Sequence, residues 1–154
     1  MAEFALHDKE AQAFLKKLIK KKEAISKGQQ EYVSLLSAIV YSDIIDHFEH
    51  ERGSEGPWKE WSKAYRAHMQ AIGKEGNRIL QDTGRLRQSF MPTNWKLTTE
   101  GILWFNPAKT RSGFPYAAAH DEGGKKLPKR DFMWLSDQAR ERISDQTLEF
   151  LEDV

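Results

Sequence analysis

Apolar residues recur at helical spacing through the first third of the chain. Phe4, Ala11, Phe14, Leu15, Leu18, Ile19 and Ile25 alternate with Lys, Glu and Gln, which predicts an amphipathic helix over residues 3 to about 27. Gly28 reads as its stop. A second helix over about 30 to 50 follows, where Tyr32, Leu36, Val40, Ile44 and Phe48 step by four with Leu35 and Ile39 beside them. Two helices with a stripe each to bury predict an N-terminal helical hairpin. "RGSEGP" (52–57) breaks the pattern with two glycines and a proline. A further helix is expected over roughly 58 to 72, with Trp58, Trp61, Tyr65 and Met69 on one side. The spacing of three would turn Trp58 and Trp61 toward one groove as core residues. Within "KEGNRILQDTGRLRQSF" the pattern gives a short helical piece near 76–81 and a turn. A short helix or an extended entry into a sheet comes next.

The period shortens to two around residues 93–106. "NWKLTTEGILWF" alternates on both sides of "TTEG", and Glu100-Gly101 suits a tight turn. "RDFMWLS" (130–136) reads as an additional strand. With Ser136 as N-cap, "DQARERISDQTLEFLEDV" reads as a closing helix whose apolar side is Ala139, Ile143, Leu148 and Leu151. The class is α+β: an N-terminal helical hairpin and further helices packed on a small antiparallel sheet. Residues 1–154 are expected to form one domain, helical over 1–50, with an α+β core over 51–154.

Composition narrows what such a domain does. Lys and Arg number 24 against 23 Asp and Glu, a net charge of +1. A dedicated nucleic-acid binder would show a clear cationic excess. The charges are nevertheless segregated: residues 74–96 and 109–130 are basic, whereas 131–154 carry only Arg140 and Arg142 against seven acids. A basic middle and an acidic tail can attract each other within one chain or between copies. Cysteine is absent, which removes disulfides, thiolate nucleophiles and the usual zinc knuckles. The opening "MAEFALHDKEAQAF" has acids where a leader needs positive charge. No run approaches the ~20 apolar residues of a membrane helix. Work in the cytoplasm is expected.

Candidate chemistry centres on "YAAAHDEGGKKLPKRDFMWLSD" (116–137). His120, Asp121 and Glu122 are adjacent, so their side chains diverge and do not converge on one metal or substrate. The i, i+4 histidine spacing of a helical zinc site and the Gly-x-Ser-x-Gly of a nucleophile elbow are both missing. A metal-dependent nuclease would need a Glu-x-Lys order that "DEGGKK" lacks. Gly123-Gly124 before Lys125-Lys126 lacks the glycine spacing and the following Ser or Thr of a phosphate loop. The lysine run "KKLIKKK" (16–22) reads as a solvated helix face diluted by Asp8, Glu10 and Glu23. No catalytic, cofactor or metal site emerges. A helix end closed by glycines accounts for the polar cluster.

Three stretches then stand in a fixed order: "HFEHERGSEGPWKEWSKAY" (47–65), "ILQDTGRLRQSF" (79–90) and the 116–137 block. This order resembles the phage virion-morphogenesis, or tail-completion, family of Mu-like and P2-like phages and prophages. The matching positions are His47-Phe48, Trp58, Ile79-Leu80, Thr83, Gly84, Arg85, Leu86, Ser89, Tyr116, Ala117, His120, Gly123, Pro128, Arg130, Phe132 and Leu135-Ser136. The resemblance covers about residues 44 to 140. It departs at Asp121-Glu122, where such proteins often have Gln-Phe, and in longer, lysine-rich N-terminal helices. It implies a non-enzymatic virion protein that completes the tail or joins head to tail as a homo-oligomeric ring. Its partners would be further copies of itself and tail or neck proteins, with transient DNA contact possible and no membrane. It would assemble in the host bacterial cytoplasm and end in the virion. The "KTRSGFP" and "DEGGKKLP" loops, the latter containing Gly124, would order on assembly, anchored by Tyr116 and Phe132. Arg130 would face a carboxylate on the next subunit or strand. The rival expectations are a DNA-contacting neck or packaging protein, a capsid-assembly protein, and a small metal-dependent hydrolase centred on His120, Asp121 and Glu122.

Overall fold

The structure is a computed structural model that describes residues 9–98 and 101–153. Its first helix, α1, spans Lys9–His50 without a break, 42 residues and about 63 Å at 1.5 Å per residue. The expected hairpin is therefore replaced by one rod. Gly28 lies within a run of Lys27, Gln29 and Gln30, strong helix formers that absorb the ~1 kcal/mol a glycine costs. Residues 3–8 of the expected first helix lie outside the described residues. The C-terminal half of α1 buries Val33, Leu36, Ser37, Val40, Tyr41, Ile44, His47 and Phe48, the spacing of one helical face. Leu35, expected beside that stripe, is 45% exposed.

The end of α1 is closed by long-range partners. Glu51 takes a left-handed conformation at φ 49°. The orphan carbonyls of the last turn accept from side chains: Phe48 O from Gln81 Nε2 at 2.8 Å and Glu49 O from Arg78 Nη1 at 2.7 Å. The Glu51 carboxylate accepts the Ile79 amide at 2.6 Å. Thus "NRILQ", expected to hold a helical piece, is an irregular segment wrapped on the helix end.

A two-residue ladder, β1 (Arg52–Gly53) with β2 (Gly56–Pro57), follows antiparallel. Helix α2 covers Lys63–Ala71, later than expected, because the Ser62 hydroxyl caps it by accepting the Tyr65 amide. Trp58 and Trp61 consequently precede the helix. Trp58 is buried and Trp61 packs partly buried against the core. Helix α3 is the single turn Arg85–Gln88. Strands β3 (Trp95–Thr98) and β4 (Gly101–Trp104) pair antiparallel with Thr98 opposite Gly101. The connecting residues 99–100, including half of the expected Glu100-Gly101 turn, lie outside the described residues. Tyr41 of α1 holds the open end of this hairpin, its hydroxyl donating to Asn94 O and, at 3.0 Å, to Phe105 O. Trp104 Nε1 donates to Ser37 Oγ at 2.8 Å.

Helix α4 (Tyr116–Glu122) and helix α5 (Asp137–Glu152) complete the α+β fold. The expected strand over "RDFMWLS" does not form. Side chains take up its backbone groups instead: Asp121 Oδ1 accepts the Phe132 and Met133 amides at 2.7 and 2.8 Å, and Phe132 O accepts from His47 Nδ1 at 3.0 Å. Ser136 caps α5 as expected. The inward face of α5 keeps the expected Ala139 and Ile143 but continues through Thr147 and Phe150 in place of Leu148 and Leu151. Phe150 stacks on Tyr32 with centroids 4.4 Å apart, and Thr147 bonds the Tyr32 hydroxyl at 2.6 Å. Leu148 and Leu151 are 57% and 42% exposed.

The core gathers where these segments meet. Phe48 lies 5.2 Å from Phe132, 5.3 Å from Trp58 and 5.6 Å from Phe90, ring centroid to centroid. Tilted and edge-on geometries predominate, as the aromatic quadrupole favours.

Candidate functional site

The three sequence stretches that run far apart along the chain converge on one open cleft of about 1320 Å³. One wall is the segment entering α2, with Lys59, Glu60, Trp61 and Tyr65. A second is Arg78 through Leu86. The third is the loop 109–111 with α4 and Lys126–Arg130. Thr83, Gly84, Arg85, Leu86, Tyr116, His120, Pro128 and Arg130 all line it. Ser89, Ala117, Gly123, Gly124 and Phe132 lie outside the lining and act behind it.

Each residue behind the lining has a local task. Ser89 Oγ donates to Leu86 O at 2.6 Å and accepts from Asn106 Nδ2 at 2.8 Å, which fixes the end of α3. Ala117 and Phe132 are core. Gly123 ends α4 at φ 71° and ψ −172°, a region open essentially to glycine alone. Gly124 donates its amide to Leu127 O at 2.7 Å and closes the loop.

The histidine and the two acids that prompted the chemical question part company here. His120 faces the cleft, and its backbone carbonyl accepts the Arg130 amide at 2.9 Å. Burial, and then the nearby Arg130 charge, hold its pKa below the ordinary histidine value. Its buried Nδ1 has no protein partner. Asp121 turns the other way, onto the 132–133 backbone. Glu122 is exposed. Among the described residues no group of three His, Cys, Asp or Glu is arranged to hold a metal.

Arg130 is buried, and its side chain bonds within the chain instead of waiting for a carboxylate. Nε donates to Lys59 O at 2.8 Å and Nη2 to Glu60 O at 3.3 Å. Burial lowers its pKa, against the attraction of Tyr65 and Glu60. Arg130 thereby pins the 59–60 wall to the 120–130 wall.

The electrostatics of the cleft are lopsided. Seven cations line it against two carboxylates. Both carboxylates already have partners outside the lining: Glu60 bonds Arg66 at 2.8 Å and Asp82 bonds Lys74 at 2.7 Å. Arg78 and Arg130 donate to backbone carbonyls. Lys59, Arg85, Lys109, Arg111 and Lys126 have no ion-pair partner among the described residues. Such an excess of uncompensated cations in a concave surface attracts anionic groups.

Two groups were not legible as site-forming in the sequence. His47 is fully buried, stacked on Trp134 at 3.9 Å with ring planes 1° apart, and its Nε2 lies 3.5 Å from Asp43. Burial lowers its pKa, against the Phe132 carbonyl and Asp43. Asp131 accepts from Ser54 N at 3.1 Å and Ser54 Oγ at 2.5 Å. Burial raises its pKa, but the Ser54 bonds outweigh this and leave it lowered. A Cβ at Gly53 would meet Asp131 Oδ1 at 2.2 Å, so that glycine lets β1 approach.

The three sequence stretches, in their fixed order, thus meet at one cleft. The chain belongs to the phage virion morphogenesis family, whose model matches residues 6–152. No curated protein and no solved structure matches it. Among the described residues no helix is long and apolar enough to cross a membrane.

Proposed function

We propose that the chain is a non-enzymatic assembly component that completes the phage tail or joins it to the head, acting as a homo-oligomeric ring. The observation that carries this reading is the cleft. Motif residues from three distant stretches line it, its cations are uncompensated, and the nearby acids that chemistry would use are engaged elsewhere. Asp121 holds backbone amides and Glu122 faces solvent, which leaves His120 without a partner acid or nucleophile for acid–base work. A cationic groove with architectural support is what a docking surface requires. Tail or neck proteins and further copies are the partners, and the mature virion is the destination.

The basic lining also favours a second reading, a neck protein that touches the packaged genome. Deleting the gene in a phage that encodes it separates the two. Tail completion predicts filled heads and separate tails by electron microscopy; a packaging role predicts empty heads. Normal infectious particles would remove both.

A further inference from the structure

The outer face of α5 carries charge opposite to that of the cleft. With 3.6 residues per turn, Asp137, Glu141 and Asp145 form one exposed row that Leu148 continues. The opposite face holds α5 on the body through Phe150 and Thr147 against Tyr32. Packing on α1 therefore turns the acidic row outward. Among the described residues, its only ion pair is the long one between Asp137 and Arg140, at 3.9 Å. No cation of the cleft reaches it within the same chain.

We propose that the acidic outer face of α5 of one copy seats in the basic cleft of the next, head to tail. This rests on the ring reading above and names its contact. Charge complementarity selects a second copy as occupant: three exposed acids of the α5 row face five cations of the cleft that have no ion-pair partner among the described residues. DNA would gain from the cations but not from the apolar groups beside them. Leu148, in the middle of an acidic surface, meets such groups in Tyr65, 44% exposed, and partly buried Leu127. The two turns from Glu141 to Leu148, about 10 Å across, occupy ~800 Å³, and the cleft offers about 1320 Å³. Because the two surfaces differ, the contact is heterologous and closes into a ring when its rotation permits.

Charge exchange on the full chain tests this by sedimentation at low salt. Arg85→Glu with Lys109→Glu reverses the cleft; Glu141→Lys with Asp145→Lys reverses the helix face. All four side chains are exposed and outside the internal hydrogen bonds, and unchanged melting verifies folding. The expected result is an oligomeric parent, each variant alone reduced to monomer, and an equimolar mixture that reassembles. Variants that assemble like the parent overturn this contact and leave the ring intact. A monomeric parent overturns ring and contact together, while the gene-deletion phenotype still reports on virion assembly. A mixture that stays monomeric also overturns the pairing. So does salt-sensitive retention of duplex DNA that is lost in the cleft variant of a parent whose assembly ignores the helix reversal, since it gives the cleft to phosphate.

Discussion

A methyl group added at Gly123 would lie 2.6 Å from the Lys129 amide nitrogen and 2.7 Å from its Cα. Both are backbone atoms that cannot swing aside, and the residue's φ of 71° is unfavourable for any side chain. The close approach is what lets the loop turn back so that Arg130 N reaches His120 O. At Gly124, one position on, an added Cβ meets nothing within 4 Å. Gly123→Ala is therefore expected to cost about 2–4 kcal/mol, combining backbone strain with a clash that nothing relieves. In a domain of this size that lowers the melting temperature by roughly 5–15 °C. Gly124→Ala should stay within about 0.5 kcal/mol of the parent, or gain slightly by restricting the unfolded chain. Calorimetry on the pair checks the assignment, and equal effects would contradict it. The double glycine that superficially suggests a phosphate loop is thus one obligatory glycine and one free one.

At the scale of elements, the N-terminal end of α5 is fastened to α1 by a single carboxylate. Asp43 accepts the Ser136 amide at 2.8 Å and its hydroxyl at 2.5 Å, while Ser136 Oγ in turn accepts the Ala139 amide at 3.1 Å. Asp43→Ala leaves the cap in place but unmoored, at a cost of about 1–3 kcal/mol for the partly buried groups left unpaired. Amide exchange should accelerate through residues 137–152 and change little over 33–48; uniform acceleration would mean that Asp43 supports the whole core. The elements themselves were largely legible: the stripe from Leu36 to Phe48, the β3–β4 alternation and the Ser136 cap are all local patterns. Where reading failed, a long-range partner decided the outcome. Gly28 has the composition of a stop, but no capping residue follows it and helix formers flank it. "RDFMWLS" alternates like a strand, yet its amides go to Asp121 and its carbonyl to His47, partners 11 and 85 residues away. The inward side of α5 is set by Tyr32, so Phe150 displaces Leu148 and Leu151 from the face that periodicity assigned to them.

Across the whole molecule, the sequence revealed segregated charge but not which cations go unpaired, because Glu60 and Asp82 find their partners only in three dimensions. It also concealed that two histidines brace the same segment from opposite ends. The backbone of His120 receives Arg130, and the ring of His47 meets the carbonyl of Phe132. A carbonyl only accepts, so neutral His47 carries its proton on Nδ1 and leaves Nε2 bare within a fully buried site. Burial lowers the pKa of both histidines by penalising the cation. Below the ordinary histidine value of ~6.5 the unfolded chain takes up these protons before the folded one does. Their contribution to stability is thus complete above that value and is lost progressively as the pH falls through the window beneath it. Asp131, whose pKa is lowered from 3.8, weakens the fold only in still more acidic solution. The melting temperature should therefore drop between pH ~7.5 and ~5.5, with part of the drop removed in His120→Gln, whose side chain does not titrate. A flat midpoint would mean that folding does not shift the histidines, and one that rises as the pH falls would mean that the fold favours their charged form; either contradicts bracing by neutral hydrogen bonds and stacking.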